Sequence, residues 1–225
     1  MSWLWGLFAT LAVGVIWQSA RSSAVRARQR AGYLADCLPL FANPIQAVAE
    51  TGFARVSGTF RGQIFDIQLV PDSLSLRKLP CLWLLVTLPE PLAQQGTFDV
   101  MLRANGLETF SRFSSLPDQI AAPAGFPDDC TIRTDAPGRM PEPEMIGQYL
   151  TGLDRARLKE LVVAPTGLRL VWLVEEADRG RYLLFRDAEM GATPLSPELL
   201  QDLMDGLCEV WAEFQAMSAA KLVAE

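Results

Sequence analysis

The heptapeptide LWLLVTL at residues 82–88 decides the fold of this chain. A near-continuous apolar run of this length is typical of a strand that is covered on both faces. Pro89 and Pro91 end the run, because proline cannot donate a hydrogen bond to a neighbouring strand. We therefore predict a central strand at 82–88, followed by a partner strand at 97–103 (TFDVMLR) and a turn at Asn105-Gly106.

Two strand-turn-strand patterns lie on either side of this strand in the sequence. Residues 53–60 and 64–70 alternate between apolar and polar side chains around Arg61-Gly62, which predicts a β-hairpin. Residues 161–164 and 168–174 repeat the pattern around Pro165-Thr166-Gly167. The chain thus supplies the strands of an antiparallel sheet.

A weak internal echo suggests a duplicated β-meander. The stretch 82–103 resembles 168–186 in its pattern of apolar and polar residues. In this comparison 181–186 (RYLLFR) is predicted as a strand that corresponds to 97–103. Any two amphipathic hairpins share such a pattern, so duplication is an alternative to a single sheet without repeats.

The C-terminal segment predicts a long amphipathic helix. Ser196 is a good N-cap and Pro197 suits the first helical position. Apolar side chains then recur every three or four residues, with acidic side chains on the other side. We expect the apolar face to cover the sheet, with a partner-binding face as the alternative; its central residues are Leu203, Leu207, Val210, Trp211 and Phe214.

Residues 107–143 form an irregular, proline-rich excursion, interpreted as a packed surface segment with a binding loop as the alternative. The following stretch, 144–161, reads as a helix broken at Gly152, which places Lys159 and Glu160 on a solvated face. Nothing in these segments matches a phosphate-binding, calcium-binding or nucleophile motif.

Several acidic residues are the best candidates for a metal or carboxylate site. Pairs of acids can bind a hard cation, but solvated turns and the polar side of strands are their usual places. We therefore expect solvent-exposed carboxylates, and no metal or cofactor site, at Asp66, Asp72, Asp99, Asp128, Asp129 and Asp135.

The N-terminal segment 2–20 (SWLWGLFATLAVGVIWQSA) contains no charged residue. About 20 apolar residues suffice to cross a bilayer, tryptophan favours its two interfaces, and basic residues mark the cytoplasmic flank. The sequence thus predicts a transmembrane anchor at 1–20, with the N-terminus outside, the rest of the protein cytoplasmic and the bilayer as a partner. A cleaved signal peptide and a buried or interfacial helix are the alternatives. The interface residues would be Trp3, Trp5, Trp17, Arg21, Arg26, Arg28 and Arg30.

Behind the anchor we expect a basic helical connector at 21–50 and an acidic α+β domain at 51–225. Residues 31–225 carry 16 basic and 26 acidic side chains, which argues against nucleic acid binding. The chain has no histidine, so histidine-based catalysis and histidine-ligated metals are excluded. Four cysteines form no Cys-x-x-Cys pair, and in the cytoplasm they would stay reduced.

The predicted architecture is therefore α+β: one transmembrane helix, then an antiparallel sheet packed by a long C-terminal helix. Three functions are compatible with it. The first is a non-enzymatic interaction or accessory protein with a protein partner at the membrane. The second is a small-molecule or lipid-binding domain with a pocket between sheet and helix, lined by Trp83, Trp172 or Trp211. The third is an enzyme that uses two carboxylates, one with a raised pKa.

Overall fold

A computed structural model of the chain describes residues 2–72, 79–104, 108, 110–139, 143–185 and 190–224. Within them the helices are α1 (Ser2–Ala31), α2 (Pro143–Gly152), α3 (Arg179–Phe185) and α4 (Pro197–Ala224). Short 3-10 helices lie at Ala35–Leu40, Phe113–Ser115 and Pro137–Arg139. The strands are β1 (Ala42–Val48), β2 (Ala54–Phe60), β3 (Gln63–Asp72), β4 (Cys81–Leu88), β5 (Phe98–Leu102), β6 (Asp118–Ile120), β7 (Cys130–Thr134), β8 (Leu158–Ala164) and β9 (Gly167–Glu176).

The strands form one antiparallel sheet in the order β1-β2-β3-β4-β9-β8-β5-β7-β6. The predicted central strand is confirmed as β4, which pairs with β3 on one side and β9 on the other. The predicted partner at 97–103 is a strand, β5, but it lies between β8 and β7. The connection 89–97 is too long for a tight hairpin turn, and it carries the chain past two strands that enter the sheet later. The predicted turn at Asn105-Gly106 lies outside the described residues.

Both predicted hairpins are confirmed. Phe60 pairs with Gln63, and the two turn residues Arg61 and Gly62 both have positive φ (48° and 86°), as the favoured two-residue hairpin turn requires. In the second hairpin Ala164 pairs with Gly167, so Pro165 and Thr166 form the turn.

The segments 82–103 and 168–186, which have similar sequence patterns, do not have the same secondary structure. Residues 181–185, predicted as a strand, belong to helix α3. The predicted break at Gly152 is confirmed as the end of α2, but the helix does not resume after it, because β8 begins at Leu158. Within the irregular excursion the chain forms β6 and β7, which extend the sheet to its far edge.

Helix α4 covers one face of the sheet, which we name the first face. The hydroxyl of Ser196 accepts a hydrogen bond from the backbone N–H of Leu199 (3.3 Å), so this serine caps the helix as its sequence suggested. The apolar side of α4 then packs into the main core, where its buried side chains include Leu203, Leu207, Val210 and Phe214. Trp211 is partly buried and packs against the same core.

The prediction of a membrane-spanning segment is wrong. Across the parts of the chain that the structure describes, no helix combines the length and the apolar character that crossing a bilayer requires. α1 runs without a break to Ala31, so the helical continuation expected past residue 20 is present as far as that residue. The single-pass fold, the membrane localisation and the orientation deduced from the arginines therefore find no support. The segment expected as a helical connector also holds a 3-10 helix at 35–40 and strand β1.

Leu203 tests the role of α4 in the core. Leu203→Asp should strongly destabilise the protein, because an unpaired charge buried against the sheet costs several kcal/mol. Ala212→Asp, on the exposed side of the same helix, should change the free energy of unfolding by less than about 0.5 kcal/mol. Urea unfolding of the two variants measures the difference. Similar stability for both would contradict the packing of α4.

Candidate functional site

The opposite, second face of the sheet carries a smaller apolar cluster. Trp83 and Leu85 of β4 and Val171 of β9 are buried there. Phe110 packs against this cluster from the segment of residues 108 and 110–116, which we name the strap. The ring of Phe110 in the strap lies against Trp83, with ring centroids 5.4 Å apart. The strap thus provides on the second face what α4 provides on the first.

Polar contacts fasten the near end of the strap. Glu108 forms an ion pair with Lys159 at 3.0 Å, and both side chains are almost completely buried. The same ammonium group donates to the backbone carbonyls of Leu102 (3.0 Å) and Arg103 (2.8 Å). The hydroxyl of Ser111 donates to the Oε1 atom of Glu160. Two charged residues of β8 therefore anchor the strap.

Arg133 of β7 fastens its far end. The guanidinium donates to the backbone carbonyls of Ser114 (3.1 Å) and Leu116 (2.8 Å). It also lies over the ring of Phe113, 5.8 Å from the ring centroid. These contacts hold the strap along its length.

Beneath the strap two carboxyl groups meet. Asp99 of β5 and Glu160 of β8 point to the second face and are 2% and 0% exposed. Glu160 pairs with Met101, two residues after Asp99, so the two acids are diagonal neighbours on the same face of the sheet. The nearest cation is Arg169 of β9, whose Nη2 atom is 3.7 Å from Oε2 of Glu160. This distance allows charge attraction but gives Glu160 no hydrogen bond.

Burial and proximity change the acidity of the pair. Burial, followed by the charge of Glu160, raises the pKa of Asp99 to about 9. Burial also raises the pKa of Glu160, although the Ser111 hydroxyl and Arg169 oppose the shift. Two carboxyls at such close range cannot both ionise easily, so the pair retains one proton at neutral pH.

The sequence-based interpretation missed this cluster. The strand pattern predicts a solvated Asp99, but this residue is almost completely buried. Lys159 and Glu160 were assigned to a helix, whereas they lie in β8 and are buried. The apolar run 161–164 could have been extended back to Leu158 to find this strand, but no local pattern indicates that a distant segment covers it. Asp66 is partly buried, with a side chain 23% exposed, and pairs with Arg55 at 2.8 Å.

A cavity of about 460 Å³ lies beside the strap. Trp83, Arg103, Lys159 and Leu173 contribute to its walls, and Asp99 and Glu160 do not. The small-molecule hypothesis expected a pocket between sheet and helix, but this cavity is on the second face. Trp172 belongs instead to the main core, and Trp211 packs against that core.

The second unusual surface is helix α1. Trp3, Trp5 and Trp17 are 71%, 74% and 63% exposed. Five further large apolar side chains of the helix are exposed as well, namely Leu11, Val13, Val15, Ile16 and Val25. An apolar surface of this size usually marks an interaction site.

The arginines of α1 carry uncompensated charge. Among the described residues, none of Arg21, Arg26, Arg28 and Arg30 forms an ion pair with a carboxylate. Arg21 instead lies over the ring of Trp17 (5.4 Å to the centroid), and Arg30 lies over Phe53 (5.3 Å). The basic half of α1 is therefore available to an acidic surface.

The acid pair predicts an unusual dependence of stability on pH. Between about pH 4, where an unfolded aspartate ionises, and the folded pKa of about 9, only the folded protein keeps the Asp99 proton. The free energy of unfolding should therefore fall as pH rises through this window, by at most about 1.4 kcal/mol per pH unit from this group.

Asp99→Asn should remove this contribution and leave a flatter curve, whereas Asp66→Asn at a partly buried position should keep the wild-type slope. Urea unfolding at several pH values between about 5 and 8 measures the slopes. Parallel curves for wild type and Asp99→Asn would show that the pair does not hold the proton.

The sequence matches no protein-family model and no curated protein. The two unusual features of the described structure are the exposed apolar surface of α1 and the buried acid pair beside the strap.

Proposed function

We propose that this chain is a non-enzymatic interaction protein that binds a protein partner through α1. The observation that carries the proposal is the exposure of eight large apolar side chains on one helix. Scattered exposed apolar residues are normal, but eight on a single helix are not. Among the described residues, α1 carries eight of the twelve large apolar side chains that are exposed.

The distribution of these side chains indicates the shape of the partner. Successive residues of a helix are about 100° apart, so Val15, Ile16 and Trp17 point in three different directions. A helix that is apolar on all sides needs cover on all sides. Pairing with the α1 helix of a second copy would cover one stripe and leave the remainder exposed. We therefore favour a partner with a deep apolar groove that surrounds the helix.

Charge indicates what borders this groove. The basic half of α1, from Arg21 to Arg30, continues directly from the apolar half and has no acidic residue. A partner that surrounds the apolar half thus meets four cations at the mouth of its groove. Acidic side chains at this mouth would attract α1 and fix its orientation.

The available area is sufficient for a specific interface. Each tryptophan buries about 150–250 Å² when covered, so the exposed parts of three tryptophans supply roughly 300–500 Å². A standard interface buries about 800 Å² per partner. The five aliphatic side chains can supply most of the remainder.

Photo-crosslinking in the native cell tests the proposal. A photoreactive amino acid at Val13 should yield an adduct with one protein, identified by mass spectrometry. The same amino acid at Gln148, exposed on α2, should yield none and serves as the control. Adducts of Val13 with lipid alone, with a second copy of the chain alone, or with nothing would each overturn the proposal.

Ile16 separates binding from folding. Ile16→Asp should abolish the Val13 adduct, because it places a charge in the apolar contact. The melting temperature of the isolated protein should stay close to that of the wild type, since the side chain is exposed. A lower melting temperature would mean that α1 packs against its own protein instead.

A further inference from the structure

The acid pair lacks hydrogen-bond donors. Within the described residues, Oδ1 of Asp99 and Oε2 of Glu160 are buried and accept no hydrogen bond. A buried acceptor without a donor is costly, and an ionised one more so. A proton on either carboxyl group supplies a donor to the other. One proton shared by the two carboxyl groups would supply the missing donor, because no ion pair or backbone group within the described residues donates a hydrogen bond to these two oxygens.

The local charge supports the same conclusion. Asp99, Glu108 and Glu160 contribute three carboxyl groups, while Lys159 and Arg169 contribute two cations. One proton makes this group neutral. Arg133 lies opposite Asp99 on the next strand, but its guanidinium is bonded to carbonyls of the strap.

We propose that Asp99 and Glu160 form a proton-binding site, and that the single proton they share keeps the strap closed over the second face. Glu160 connects the acid pair to the strap, because its Oε1 atom accepts a hydrogen bond from the hydroxyl of Ser111. When the proton leaves for solvent, two adjacent carboxylates repel each other across the interior of the protein. Glu160 then moves from Asp99, and the anchor of Ser111 is lost.

Opening of the strap has a structural consequence. Phe110 leaves Trp83, and the apolar cluster with Leu85 and Val171 becomes exposed. The ion pair of Glu108 with Lys159 limits the movement at one end, and Arg133 limits it at the other. The centre of the strap is therefore the part that responds. This device does not depend on α1 or on its partner.

Two measurements on the full-length protein test the proposal. The first is a titration of ¹³C-labelled carboxyl groups by NMR. It should show one deprotonation step near pH 9 in the wild type, assigned to the pair, and no such step in Asp99→Asn. The second is hydrogen exchange of the strap amides 110–116 at neutral and alkaline pH, corrected for the intrinsic rates.

Protection of the strap in the wild type should fall about tenfold or more above the alkaline step. Protection of β4 and β9 should remain. Asp99→Asn should keep the strap protected, because its amide donates to Glu160 at any pH. Asp66→Asn, on the same face, should behave as the wild type. If Asp99→Asn does not fold, Glu160→Gln replaces it with the same expectation, since its amide can donate to Asp99.

Three results would overturn the proposal. The first is that all carboxyl groups titrate below neutral pH. The second is strap protection that does not depend on pH in the wild type. The third is the same alkaline loss of protection in the wild type and in the amide variants.

Discussion

The pairing of β4 with β9 is the constraint on which the rest of the structure depends. Both strands are apolar on both faces, so the centre of the sheet must be covered twice. On the first face α4 supplies this cover, with a capped start and a continuous apolar side. On the second face no long helix is present among the described residues, and the short strap takes its place. The remaining strands extend the sheet outward from this doubly covered centre.

The two covers differ in chemistry. α4 packs by apolar contact alone along most of its length, whereas the strap is too short to bury enough apolar surface and is held by charged groups. Buried charges stabilise a structure only if each has a partner. Lys159 meets this condition through Glu108 and two carbonyls. Glu160 has Arg169 at 3.7 Å and the Ser111 hydroxyl, but one buried oxygen of each acid accepts no hydrogen bond within the described residues, and a shared proton would supply the missing donor. Such local conflicts with the rules of stable folding are typical of functional sites.

Local patterns predict those parts of the fold that local interactions determine. Arg61-Gly62 and Pro165-Thr166 are turns because of backbone preferences, and Ser196 starts α4 because its hydroxyl caps the helix. β5 lies beyond β8 because two strands that come later in the chain enter the sheet before it. The residues of β5 themselves do not indicate this position. Asp99 looks solvated because it lies on the polar side of an alternating strand, and no local pattern indicates that the folded chain buries it. The apolar N-terminal run indicated a membrane span because it lacks charge and is flanked by arginines, but no helix among the described residues is both long and apolar enough to span a membrane.

The contact between Phe110 and Trp83 tests most directly whether the strap covers the centre of the sheet. A double-mutant cycle with Phe110→Ala and Trp83→Leu, measured by urea unfolding, isolates the coupling between the two rings. A tilted aromatic pair of this kind predicts a coupling of about 0.5–1.5 kcal/mol. Effects that add to within about 0.3 kcal/mol would show that the rings do not interact, and the second face would then lack the cover described here.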